Sequence, residues 1–294
     1  MNSLLTGVAV VLSGFSIWLA TRGQTFSRID AGGPRLRMLI AGTGSPTVVF
    51  ESGAGGPLES WVRIQPEVAK FARTISYDRA GNGLSEKGAT PRDGRHVAIE
   101  LHTALCNARA KPPYVLVGHS LGGPYIRVFA GLYPDEVAGL VLVDPTQEEL
   151  IAWVKKRDPK PSDQHPYRPY DEVDCAPATF AQAQANPLPK NIPVLLITGM
   201  GPREHPGFLP KNLKEEVSKD QTTFYPAKLK YHREWVEKNS GGQLIVSENS
   251  GHGIPFEEPE LVIKTIRETV NRTRQSGGTK GTHPHVPLGS EARD

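Results

Sequence analysis

The sequence predicts an α/β domain: a mostly parallel, twisted sheet with helices on both faces and a small cap insertion. Three observations lead there. Short apolar runs such as Val115-Leu116-Val117 and Leu140-Val141-Leu142-Val143 are rich in β-branched residues and show no polar alternation, as strands covered on both faces do. Segments of helical periodicity separate these runs, which implies parallel strands joined by crossover helices. The 294 residues suffice for one large domain, and no internal repeat is visible.

The elements follow in order along the chain. A hairpin is expected over 26–41, then strands over 47–52, 73–78, 114–119, 139–144, 193–199 and 243–247. Thr90-Pro91-Arg92-Asp93 reads as a helix cap with Pro91 at the first helical position, followed by Val97, Leu101, Leu105 and Ala108 on one face. Pro259 opens an amphipathic helix that buries Leu261, Val262, Ile263, Ile266 and Val270. Two insertions interrupt the alternation. Residues 146–191 are rich in Pro and aromatics (Trp153, Tyr167, Tyr170, Phe180) and read as a compact cap. Residues 200–227 form a second, irregular stretch with Phe208, Leu209, Phe224 and Tyr225. Long insertions at one edge of a sheet shape pockets or act as lids. The domain spans 25–274, and the Gly-, Pro- and His-rich tail 275–294 is expected to be disordered.

Chemistry concentrates where Tyr114 to His119 passes into Gly118-His119-Ser120-Leu121-Gly122-Gly123. A G-x-S-x-G between a buried strand and a helix puts serine on a sharp turn, with Oγ above the sheet edge. Serine is a weak nucleophile near neutral pH, so a base and a group that orients the base are required. Of nine histidines, His96 and His102 fall in a predicted helix, His283 and His285 in the tail, and His165 and His205 in Pro-rich loops. His252 follows the last core strand in Ser250-Gly251-His252-Gly253, just ahead of the terminal helix, and is the candidate general base. Two carboxylates compete to orient it. Asp144 ends the strand at Leu142-Val143-Asp144-Pro145, and Glu204 is the carboxylate of the loop after Gly199. Two backbone donors for an oxyanion are expected from Leu121, directly after the serine, and from Ala54 in the turn Ser52-Gly53-Ala54-Gly55-Gly56. That turn lacks the lysine and the spacing of a phosphate-binding loop.

These parts together resemble the α/β-hydrolase superfamily, in particular its short-capped serine hydrolases of esterase and lipase type. The matching segments are Ser52 to Gly56, Tyr77-Asp78-Arg79-Ala80-Gly81-Asn82-Gly83-Leu84-Ser85, Gly118 to Gly123, Leu142 to Pro145 and Ser250 to His252. The order Ser–Asp–His agrees with that superfamily. Two departures stand out: Ser52 replaces a frequent His in the oxyanion turn, and the loop after Gly199 has no Asp. The resemblance implies that Ser120 rather than an Asp acts as nucleophile, which argues against dehalogenase and epoxide hydrolase activity. Asp78 reads as a structural turn carboxylate.

Composition narrows the class further. A net charge of +3 without a dense basic cluster gives no sign of nucleic-acid binding. No Cys/His spacing resembles a metal site, and the expected chemistry needs no cofactor. Cys106 and Cys175, on a helix and in the cap, read as two unrelated thiols. The uncharged apolar run from Leu4 to Ala20, inside an N-terminal segment 1–24, is at the lower limit for spanning a bilayer. No basic residue precedes it and no small-x-small cleavage site follows, which favours an uncleaved membrane anchor over a secretory signal. The alternative is a secreted or periplasmic protein, and Arg22 and Arg28 weakly place the domain on the cytoplasmic side. The oligomeric state is not specified.

The expected activity is therefore cleavage of a small to mid-sized apolar carboxylic ester through an acyl-enzyme. Two alternatives remain at this point. One is an aminopeptidase or amidase with the same triad, in which Asp171, Glu172 and Asp174 would hold a free amine, although they also read as a solvated run. The other is a non-catalytic binding protein on the same scaffold.

Overall fold

The protein was analysed as a computed structural model that describes residues 25–157, 171–201, 221–239 and 242–277. The apolar run from Leu4 to Ala20, Glu204 and most of the tail lie outside the described residues. Among the described residues no helix is long and apolar enough to cross a membrane.

Eight strands form one sheet: β1 (Thr25–Asp30), β2 (Arg35–Ala41), β3 (Thr47–Glu51), β4 (Arg73–Tyr77), β5 (Tyr114–His119), β6 (Val137–Val143), β7 (Val194–Gly199) and β8 (Gly242–Ser247). Their spatial order is β1-β2-β4-β3-β5-β6-β7-β8. β2 pairs antiparallel with β1 and β4, and the remaining pairs are parallel. The chain leaves β3 for β4 on one side and returns to β5 on the other. The strand order therefore reverses between β3 and β5, and a crevice opens beyond their C-terminal ends.

The helices are α1 (Gln65–Val68), α2 (Gly94–Asn107), α3 (Gly122–Leu132), α4 (Glu148–Arg157), α5 (Asp171–Asp174), α6 (Ala176–Ala185), α7 (Gln221–Glu237), α8 (Ile254–Glu257) and α9 (Pro259–Gly277). Side chains of β5 alternate between the two faces of the sheet. Tyr114 and Leu116 join the core under α2 and α3, whereas Val115 and Val117 join Val262, Ile266 and Val270 of α9. Each of those fully buried α9 side chains contributes roughly 1.5–3 kcal/mol of transfer free energy.

Three local expectations need correction. Helix α2 starts three residues beyond the first-turn position assigned to Pro91. Asp93 is its N-cap, because its carboxylate can accept the His96 amide at 3.0 Å. The second insertion is not irregular to Ala227, since α7 begins at Gln221 and carries Pro226 inside it. The last helix runs past residue 274 to Gly277. Cys106 and Cys175 are free thiols.

Candidate active site

Ser120 caps β5 with φ +53°, a left-handed conformation that costs a non-glycine residue free energy and is found where surrounding structure enforces it. Two glycines enable the turn. A Cβ on Gly118 would lie 2.6 Å from the Gly122 carbonyl oxygen, and one on Gly122 would lie 2.4 Å from that of Glu51. The Ser120 amide donates to Val143 O, and its carbonyl accepts from Gly123 and Thr146, so the turn is fastened to β6 and to the start of the cap.

The fold brings Ser120, His252 and Asp144 together, although the pairs are 132 and 108 positions apart. His252 Nε2 lies 2.9 Å from Ser120 Oγ, and His252 Nδ1 lies 2.7 Å from Asp144 Oδ2. An ionised carboxylate only accepts, so Nδ1 carries the proton and Nε2 is left to accept from the serine hydroxyl. Asp144 is buried and, like Ser120, left-handed, with φ +41°. Its Oδ1 accepts the Gly199 amide and the Lys228 ammonium, both at 2.9 Å. Burial alone would raise the Asp144 carboxyl. The His252 hydrogen bond and the Lys228 charge outweigh burial and hold it well below the usual carboxylate range. Glu204, the competing carboxylate, lies outside the described residues.

Several neighbours were not recognised from sequence. His119, the variable residue of the elbow motif, donates from Nε2 to the His252 carbonyl at 2.8 Å and so ties the histidine loop to β5. Burial and the neighbouring His252 push it down to about 4. Lys228 and His232 stand one turn apart on α7, and both are buried behind Asp144. His232 Nε2 donates to Pro145 O, and its Nδ1 accepts from Thr198 Oγ1. Lys228 shares its face of α7 with Tyr225, His232 and Trp235, all of them buried.

The turn after β3 lies against the serine, with the Cβ of Ser120 3.1 Å from where a Gly53 side chain would begin. Among the described residues neither the Leu121 nor the Ala54 amide has an intramolecular acceptor. Leu121 opens α3, whose N-terminal amides carry partial positive charge. A cavity of about 130 Å³ adjoins His252 and Asp144, and its apolar wall is Leu150, Ile151 and Phe224. A larger cavity of about 540 Å³ sits at the N-terminal ends of β3 and β4 beside Arg73, Arg109 and Lys111, where none of the candidate catalytic groups lies.

The comparisons with known proteins agree with this fold. A family described as "alpha/beta hydrolase fold" matches residues 46–174. The solved structure of a thermophilic esterase from Thermogutta terrifontis superposes with a TM-score of 0.54 over 85% of this chain and 98% of that one, at 21% identity. The chain has the α/β-hydrolase fold. The chain is also 29% identical over 159 residues to a (lyso)-N-acylphosphatidylethanolamine lipase of Bos taurus, covering 53% of this chain and 42% of that protein. The uncharacterized protein YqjL of Bacillus subtilis (strain 168) is 34% identical over 104 residues, covering 35% and 41% respectively. The chain thus spans less than half the length of these curated relatives.

The Asp78 carboxylate accepts the amides of Leu58, ahead of β4, and of Leu84, beyond it, at 2.7 and 2.9 Å, and so joins the two loops that flank this strand.

Proposed function

We propose that the chain is a serine hydrolase that cleaves carboxylic esters of small to mid-sized apolar substrates. The observation that carries this reading is the hydrogen-bonded series Ser120–His252–Asp144, set at the reversal point of the sheet. Ser120 Oγ attacks the acyl carbon while His252 Nε2 takes its proton, and Asp144 orients the ring and stabilises the imidazolium. The amides of Leu121 and Ala54 receive the oxyanion of the tetrahedral intermediate. In enzymes of this type each such donor is worth about 10²–10³ in rate. Collapse expels the alcohol, which takes the proton from His252, and leaves an acyl-serine. Water, deprotonated by His252, then attacks the acyl-serine and frees the acid. No step calls for a metal or an organic cofactor. The apolar wall beside His252 favours a compact acyl or alcohol group.

The first test is a burst of p-nitrophenol from an activated ester, with labelling of Ser120 by a fluorophosphonate. Both are expected in the wild type and absent in Ser120→Ala. Retention of both in that variant overturns the reading, and a folded wild type that does neither favours a non-catalytic binder. Of the three carboxylates that the amidase alternative invokes, Glu172 is buried and committed to Arg79, and parallel assays on ester and aminoacyl-arylamide substrates discriminate the two readings.

The same reading tethers the domain to a membrane through the run from Leu4 to Ala20. Retention of full-length protein in the pellet after carbonate extraction is expected. Release of a shortened chain into the soluble fraction identifies a cleaved signal instead.

A further inference from the structure

Arg79 is fully buried, and every N–H of its guanidinium edge points at the back of the oxyanion turn or at a carboxylate that braces it. Nη1 donates to the Ser52 carbonyl at 2.6 Å and to Glu51 Oε1 at 2.5 Å. Nη2 donates to the Gly53 carbonyl at 2.5 Å and to Glu172 Oε2 at 2.9 Å, while Nε donates to Glu172 Oε1 at 2.8 Å. Glu172, on α5 of the cap, also accepts Asn82 Nδ2 at 2.7 Å and the Gly55 amide at 3.1 Å. The Tyr125 ring of α3 lies 5.1 Å from the guanidinium carbon.

The peptide plane turns these contacts into a statement about the site. The Gly53 carbonyl and the Ala54 N–H belong to one trans peptide unit and point in opposite directions. With the carbonyl held inward on Arg79, the Ala54 N–H faces away from the guanidinium. Ala54 itself is exposed, whereas Arg79 is not, and the neighbouring Gly53 lies against Ser120. The Ser52 carbonyl, held by the same guanidinium, fixes the preceding peptide as well. A fork with five donors can hold two carbonyls and two carboxylates at once, which a lysine cannot do.

We infer that Arg79, clamped by the cap residue Glu172, is a positioning residue that aims the Ala54 amide at the oxyanion, so that the cap sets the strength of the oxyanion hole. The inference rests on the proposed hydrolase reading. It adds a pair of residues that touch neither the substrate nor the reacting atoms. Glu172 and Arg79 are 93 positions apart, and their pairing joins the oxyanion turn to an element outside the sheet.

The decisive comparison uses full-length wild type, Glu172→Gln and Arg79→Lys. Each is assayed for ester kcat and KM, for the pH profile of kcat/KM, and for affinity to an aryl boronic acid whose serine adduct carries the oxyanion. Glu172→Gln is expected to lower kcat and boronate affinity in parallel by about 10–100-fold, a fraction of the loss of a whole donor. KM is expected to stay within about threefold and the pH midpoint to stay in place, because ground-state binding and His252 are untouched. Arg79→Lys is expected to lose more than Glu172→Gln. Glu172→Asp, which keeps the charge on a shorter stem, is expected to recover part of the loss. It also replaces Glu172→Gln if that variant does not fold. A folded Glu172→Gln with wild-type kcat and boronate affinity overturns the positioning role while leaving the hydrolase reading intact. So does a loss confined to KM. A wild type without esterase activity or serine labelling removes both.

Discussion

The Lys228 ammonium sits 2.9 Å from Asp144 Oδ1, the carboxylate oxygen that His252 leaves free. Both side chains are buried, so each charge depends on the other for solvation. Breaking such a pair leaves one buried charge without its partner, and about 3 kcal/mol of stability is expected to go with it. Lys228→Met is therefore expected to unfold at markedly lower urea. The double variant Lys228→Met/Asp144→Asn is expected to lose less than the sum of the two single changes. Additive losses would mean that the contact carries little energy.

Asp144→Asn tests the triad assignment directly. Asparagine at this position would favour the wrong imidazole tautomer, which in a comparable triad lowers kcat by about 10⁴. That loss is expected for Asp144→Asn on active-site-titrated enzyme, with Glu204→Gln within about twofold of wild type. The reverse pattern would hand the role to Glu204.

Acid stability is expected to follow His232. As the neutral ring it donates from Nε2 to Pro145 O and accepts at Nδ1 from Thr198, and burial pushes it down to about 4. The unfolded chain, with an ordinary histidine near 6.5, binds the extra proton first. Stability from this group is thus present above about pH 6.5 and is lost as pH falls toward about 4, by at most about 3 kcal/mol. Denaturant unfolding at pH 7 and pH 4.5 is expected to show this loss, and His232→Asn is expected to flatten it. An unchanged slope would place the acid sensitivity elsewhere.

Two glycines are expected to respond differently to alanine. A Cβ at Gly122 would lie 2.4 Å from the Glu51 carbonyl oxygen, and backbone cannot yield there as a flexible side chain would. Gly122→Ala is expected to cost about 2–3 kcal/mol and to distort the elbow, with loss of fluorophosphonate labelling. Gly81, with φ +86° and nothing within 4 Å of its Cβ position, meets only backbone strain. Gly81→Ala is expected to cost about 1 kcal/mol and to leave labelling intact.

Legibility in the sequence followed the range of the interaction. The strands and the serine turn are written locally, in runs such as Val115-Leu116-Val117 and in Gly118-His119-Ser120-Leu121-Gly122, and the structure places them as expected. The terminal helix likewise followed from its apolar spacing. Groups that acquire a role only through a distant partner were read as ordinary. Glu172 sits in Asp171-Glu172-Val173-Asp174, which looks like a solvated acidic run until Arg79 arrives from 93 positions away. Lys228 is one cation among several on α7 until Asp144 lies beside it. The helix start near Thr90 went to Asp93, because two polar residues three positions apart can both cap and only the backbone path chooses between them.

The first described strand also carries a practical consequence. β1 begins at Thr25 opposite Ile40, and it runs in the same direction as β4, so it starts toward the pole of the sheet remote from Ser120. Any leash attached through the preceding residues pulls on that pole and leaves the mouth facing outward. Immobilising the protein by its N-terminus, on a bead or a bilayer, is accordingly compatible with unhindered access of dissolved esters to the serine.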